Sequence, residues 1–276
     1  MSVVQSSLIA DLAAEHSALD AMLDGRASSD WAIPTPAAGW DVTDTISHIF
    51  YFDEAACLAL SDPPAFDVKL NALISGSLGP TCDVDPGREM GPDELLRRWR
   101  AGRVELLSTL SSADPTARVP WFGPAMSLAS FTTARLMETW AHGVDVADAL
   151  DLPVVVSARL KHVCHIGVGA RAYSFLARGV ADPGNPIRVE LESPTGDVWS
   201  WGPEDAQDRV SGTALDFAVL VTQRRHLADT SLEVQGEVAR QWISIAQAFA
   251  GPDGGGRSPG LRPITSSAAS IAHTID

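Results

Sequence analysis

Residues 138–146 read ETWAHGVDV. Glu138 and His142 stand four positions apart in a strongly helical stretch. Residues i and i+4 lie one turn apart on the same helix face, so their side chains reach one point. A carboxylate and a neutral imidazole are both normal ligands of a divalent transition metal such as zinc. The same spacing equally describes an ordinary surface Glu–His pair worth a few tenths of a kcal/mol. Two ligands do not make a site, so the pair alone leaves both readings open.

Outward from this stretch, the first half of the chain reads as helices. Val4, Leu8, Leu12, Leu19 and Leu23 recur at helical spacing and predict helix over 3–25. DWAIPTPAAGW (30–40) breaks the pattern with Pro34, Pro36 and Gly39. A second helix begins at Asp41 or Thr43, either of which can cap it, and carries Val42, Ile46, Ile49, Phe50 and Ala56 on one face. A short helix is expected over 67–78. GPDELLRRWRAGRVELLSTL (91–110) is a third long helix, with Pro92, Asp93 and Glu94 suited to its first turn. Residues 127–149, which contain ETWAHGVDV, are the fourth. Four long helices with short to medium connections predict an antiparallel four-helix bundle.

The pattern changes near 150–157. Residues 158–179 and 214–225 read as helix, as do 237–251. PIRVELES (186–193) and VWSWG (198–202) read as strands joined by a turn at 194–197, and TSLEVQG (230–236) is strand-like. The expected organisation is a bundle over 1–152, a smaller α+β domain over 153–251, and a flexible Gly/Pro/Ser-rich tail over 252–276.

Composition narrows the function. The 276 residues carry a formal net charge of −15, and the only lysines are Lys69 and Lys161. That balance argues against nucleic acid and against an anionic membrane surface as partner. The Ala-, Gly- and Arg-rich usage with little Lys fits a GC-rich genome. Cys57, Cys82 and Cys164 are odd in number and form no CxxC, which favours a reducing cytoplasm. The N-terminus reads as an amphipathic helix rather than a signal peptide, and no apolar run is long enough to span a bilayer. No GxSxG is present, and GPDGGGRSPG neither follows a strand nor opens a helix, so it is no phosphate loop. HVCHIG (162–167) offers two histidines and a cysteine but no further ligand to complete a set.

A third ligand for the Glu138–His142 pair must come from another helix. His48, on the second, completes a His₂Glu set if the second and fourth helices are neighbours. Three protein ligands with an open fourth position is the catalytic zinc pattern; a lone core histidine is the plainer alternative. GWDVTDTISHI (39–49) followed some ninety residues later by ETWAHGVDV resembles the mycothiol-dependent maleylpyruvate isomerase family of the DinB-like superfamily. The resemblance covers roughly residues 5–150 and implies a DinB-like metal-binding bundle with His48, Glu138 and His142 as ligands. VSGTALDFAVLVTQRR and SLEVQGEVARQWISIAQAFAG resemble the sterol-carrier-like α+β domain found C-terminal in that family, where Arg224 is the nearest match to an active-site arginine. A basic residue ending a helix is the plainer reading of Arg224.

The resemblance implies Zn2+ or another divalent metal, and mycothiol as cosubstrate. A zinc-bound thiol loses its proton near neutral pH, and the thiolate attacks an electrophilic small molecule. The expected activity is mycothiol S-transferase or mycothiol-dependent isomerase, in a cytoplasmic, actinobacterial monomer or homodimer. A thiol-independent metal-dependent lyase or cyclase of secondary metabolism, and a non-catalytic lipid-binding module, are the alternatives. Asp44 and Asp145 are candidates to orient His48 and His142, each with a helix-surface charge as its plainer reading. Trp40 and Trp140 are candidates to wall the pocket, with core packing as theirs.

Overall fold

In the computed structural model, which describes residues 3–251, 253–261, 264 and 266–268, the chain divides into two compact units, Met1–Leu152 and Pro153–Asp276. The first is built on four long helices: α1 (Val3–Leu23), α3 (Val42–Ser61), α6 (Pro92–Ser112) and α7 (Leu128–Leu150). Short helices α2 (Ser28–Trp31), α4 (Pro63–Ile74) and α5 (Asp85–Met90) fill the connections, with a small antiparallel hairpin of β1 (Arg118–Val119) and β2 (Met126–Ser127) before α7. Around the bundle α1 packs on α7, α7 on α3, α3 on α6 and α6 back on α1. The apolar stripes meet inside: Leu19 and Leu23 from α1, Val42, Ile46, Ile49 and Phe50 from α3, Leu95 and Trp99 from α6, and Val146 from α7 form one buried cluster with Trp31.

Local chemistry sets the helix starts. The Asp41 side chain accepts from the Asp44 backbone N–H while the Asp44 carboxylate accepts from that of Asp41, a reciprocal cap for α3. The helix expected over 67–78 starts earlier, at Pro63, and stops at Ile74. The Asp62 side chain caps it and prolines occupy its first turn, where a missing N–H costs nothing.

The second unit is α+β. Its main sheet has the order β5 (Val198–Trp201), β4 (Ile187–Glu192), β6 (Asp208–Thr213), β7 (Glu233–Gln235). The β4–β5 and β6–β7 pairs are antiparallel, and β4–β6 is parallel. Helices α8 (Leu160–Gly169), α9 (Arg171–Ala177), α10 (Ala214–Val221) and α11 (Glu237–Ile245) accompany it. The single helix expected over 158–179 is two, parted at Ala170. Gly167 lets α8 and α10 approach: a Cβ there would lie 2.6 Å from Val221 Cγ2.

Where it is described, the segment expected to be a flexible tail makes contacts with the rest of the second unit. Arg178 donates to the Gly254 carbonyl, the Gly260 N–H donates to Asp229, and β8 (Ser266–Ala268) pairs in parallel with β3 (Val154–Val156). The remaining residues of 252–276, with Met1 and Ser2, lie outside the described residues.

Candidate metal centre

α3 and α7 are packed neighbours, the condition the three-ligand reading required. His48 from the first half of α3 meets Glu138 and His142 from α7, and one ligand atom from each of the three lies within 4.8 Å of the others. The histidine ring centroids are 4.7 Å apart, and His142 Nε2 is 3.5 Å from Glu138 Oε2. An ion held tetrahedrally at about 2.1 Å from each ligand sets ligand atoms roughly 3.4 Å apart. The cluster therefore contracts by no more than about 1.4 Å to close on one.

The outer nitrogens decide whether the inner ones can ligate. His48 Nδ1 lies 2.7 Å from Asp83 Oδ2. Burial raises the Asp83 pKa, but the bond from His48 outweighs it and holds the carboxyl below its usual range. An ionised Asp83 only accepts, so Nδ1 carries the proton and Nε2 keeps its lone pair. Burial lowers the His48 pKa, against the raising effect of Asp83, so the ring is neutral near pH 7. His142 repeats the arrangement, with Nδ1 3.3 Å from Asp145 Oδ2 and Asp145 itself buried. For Glu138 burial pushes upward, but the His142 hydrogen bond and the charges of His142, Arg135 and His48 hold its pKa at about 2. A divalent ion would need both imidazoles neutral, and any proton that His142 shares with Glu138 displaced, before these donors could close on it.

Asp83 carries no signal in the sequence pattern. It sits in the irregular connection after α4, and the residue beside His48 fixes it there. Ser47 Oγ donates to the Asp83 carbonyl at 2.8 Å and accepts the Gly87 N–H at 3.0 Å. Asp44, one turn before His48, does not orient it: its carboxylate completes the α3 cap and takes two hydrogen bonds from Arg88.

Trp40 packs 4.9 Å from the His48 ring and stacks 6.1 Å from that of His142, and Phe52 lies 4.7 Å from His48 on its other contacts. Trp140 is a buried core residue, as the plainer reading held. A cavity of about 390 Å³ adjoins, with Tyr51, Phe52, Leu73, Cys82 and Asp83 in its wall.

Arg224 belongs to the second unit. It follows α10, where Gln223 takes the left-handed conformation at φ 60°. Arg224 N–H then closes on the Val219 carbonyl and Gln223 N–H on that of Leu220, a Schellman ending. Its side chain donates from Nη1 to the Thr222 carbonyl. HVCHIG forms no metal-type cluster among the described residues. There His165 accepts from Trp201 Nε1, and the buried Cys164 thiol donates to the Ala214 carbonyl.

A helical bundle in which two histidines and a carboxylate from α3 and α7 converge carries a candidate metal centre. Residues 12–147 match the family described as mycothiol maleylpyruvate isomerase N-terminal domain. The bundle of the first unit belongs to that family of N-terminal domains. An uncharacterized protein of Mycobacterium tuberculosis, from strains CDC 1551 / Oshkosh and ATCC 25618 / H37Rv alike, is 44% identical over 250 residues, which is 90% of this chain and 97% of the relative. The crystal structure of the mycothiol-dependent maleylpyruvate isomerase aligns with TM-score 0.56 at 15% identity, covering 84% of this chain and 96% of that one. A histidine-to-alanine mutant of that enzyme aligns equally well, at 14% identity. Residues 183–233 match a family described as wyosine base formation, which is not a sterol-carrier description.

Proposed function

We propose that this protein is a zinc-dependent, mycothiol-using enzyme, an isomerase or S-transferase acting on an electrophilic small molecule. The observation that carries the reading is the convergence of His48, Glu138 and His142, one ligand atom of each lying within 4.8 Å of the others, with Asp83 on the outer nitrogen of His48. Family membership supports the thiol and the isomerase class. His48, Glu138 and His142 would hold a divalent ion, which would supply the positive charge that lowers the pKa of a thiol brought to it. With two neutral imidazoles and one carboxylate as its donors, a divalent ion there would leave a net charge of +1, which would favour an anionic thiolate.

The chain's own residues supply the rest. Asp83 holds the His48 proton on Nδ1, and Asp145 faces Nδ1 of His142. Trp40 and Phe52 give the site apolar walls that limit water around the nucleophile. In an isomerisation, the thiolate sulfur adds to one carbon of an electron-poor double bond while the electron pair moves onto the substrate's withdrawing group. The former double bond rotates, and expulsion of the same thiolate restores it in the other geometry. In a transfer, the sulfur displaces a leaving group and the thioether departs. Arg224 of the second unit is proposed as an anion-binding catalytic residue, and the sterol-carrier-like reading of that unit belongs to the same proposal.

The test is metal content of the purified protein, followed by incubation with mycothiol and a panel of electrophiles and mass detection of isomerised substrate or thioether. One equivalent of zinc, with thiol-dependent conversion that Arg224→Ala diminishes, is the expected result. Turnover that persists without thiol points instead to a metal-dependent lyase or cyclase, and tight lipid binding without metal to a binding module.

A further inference from the structure

One turn away from the three candidate ligands lies a second buried polar layer that the chemistry above does not use. Asp53 on α3 is fully buried, Arg135 on α7 is 3% exposed and His16 on α1 is 1% exposed. Arg135 donates to the same oxygen of Asp53 from Nη2 at 2.7 Å and from Nε at 3.2 Å. The other Asp53 oxygen has no hydrogen-bond partner among the described residues, and its neighbour is His16 Nε2 at 3.7 Å. Neither ring nitrogen of His16 has a hydrogen-bond partner among the described residues. An ion pair this deep is weak evidence for stability, because desolvating both charges offsets most of their attraction, and a packed apolar pair often does as well. Its retention needs another account.

Placement supplies one. Asp53 is five residues beyond His48 on α3, and Arg135 is three before Glu138 and seven before His142 on α7. The later residue on one helix pairs with the earlier on the other, as it must between antiparallel neighbours. The ion pair thus joins the same two helices that bring the candidate ligands together, one layer below them. The hydrophobic effect by itself prefers no register, and apolar packing sets one only through side-chain shape. A guanidinium held through two N–H groups sets one as well. A one-residue slip of α7 would carry Glu138 and His142 together about 1.5 Å along the helix axis, away from their place opposite His48.

We propose that Arg135 and Asp53 are positioning residues for the metal centre: their buried ion pair fixes the register of α7 on α3 and so holds Glu138 and His142 opposite His48. The proposal rests on the metal reading of those three residues. It separates from a merely structural role because apo stability and metal affinity respond differently.

The experiment measures zinc affinity by chelator competition and the melting temperature of the metal-free protein. It compares the full-length wild type with Asp53→Leu/Arg135→Met and with Arg135→Lys. The apolar double variant is expected to keep the metal-free melting temperature within a few degrees of wild type yet bind zinc at least tenfold more weakly. Arg135→Lys retains the charge without the two-pronged grip and is expected to lose several-fold in affinity; it decides the matter alone if the double variant fails to fold. Variants that fold and bind zinc within threefold of wild type overturn the positioning role and leave the metal reading intact. A wild-type protein that binds no zinc overturns both.

Discussion

Removing the carboxylate of Asp83 probes the centre most sharply, because Asp83 touches one ligand and is not itself one. Its Oδ2 sits 2.7 Å from His48 Nδ1, a short bond to an ionised acceptor. A net hydrogen bond to a charged group is worth about 1.5–3 kcal/mol, and a neutral one about 0.5–1.5. Asp83→Asn leaves an amide oxygen able to accept the same N–H, so the loss is about 1 kcal/mol, or about fivefold in metal affinity. Asp83→Ala leaves Nδ1–H facing nothing and frees the ring to turn. The expected loss is about 2–3 kcal/mol, some 30- to 150-fold. Zinc affinity by competition with a chromophoric chelator measures both, and melting of the metal-free protein checks that the bundle is intact. The expected order is wild type tightest, then Asn, then Ala. An alanine variant that binds zinc within threefold of wild type refutes the argument that this carboxylate sets the His48 tautomer. Asn weaker than Ala refutes the stated amide orientation, since an amide N–H aimed at Nδ1 drives the proton to Nε2 and removes the ligand lone pair.

His48→Ala, Glu138→Ala and His142→Ala are each expected to abolish stoichiometric zinc in elemental analysis; full retention in all three would falsify the assignment. His16 gives a pH test: burial, with Arg135 and Arg103 adding and Asp53 opposing, lowers its pKa from 6.5 to about 4. The unfolded chain therefore binds the extra proton first, so this contribution is intact above about pH 6.5 and lost as pH falls toward 4, about 3 kcal/mol in all. Urea unfolding of metal-free wild type and His16→Leu at several pH values reads it, the variant lacking that part of the acid slope. Gly87→Ala places a Cβ 2.5 Å from Ser47 Cβ. It should cost about 1–3 kcal/mol in unfolding free energy and weaken zinc binding by displacing the Asp83 loop. Gly167→Ala, in the second unit, meets Val221 and should destabilise to a similar degree while leaving zinc affinity unchanged.

The helices of the first unit were legible because their signals are local. Leu8, Leu12, Leu19 and Leu23 repeat at one period, and Asp41 with Asp44 announces the start of α3. β6 was not legible. Ser211, Gly212 and Thr213 resemble a turn more than a strand, yet β6 lies between β4 and β7 in the sheet. Pairing on both edges made it a strand, and pairing is a property of distant residues. The same holds for β8, whose partner β3 lies more than a hundred residues away in sequence.

The site divides along the same line. Glu138 and His142 share one helix, so geometry alone puts them on one face, and His48 gained its meaning once a second motif made α3 their partner. Asp83 had no such rule, because no periodicity places a residue in an irregular connection. A hydroxyl on α3 and a backbone carbonyl place it instead. Arg135 and Asp53 did leave a trace: each is a charge set among apolar neighbours, in FTTARLMETWAHGV and in ISHIFYFDEAACLA. Helical spacing shows that such a charge faces inward; only the packed bundle shows that the two charges face each other. A buried charge on each of two helices that also carry candidate ligands is therefore a readable sign of a register lock, provided the ligands have first established that the helices touch.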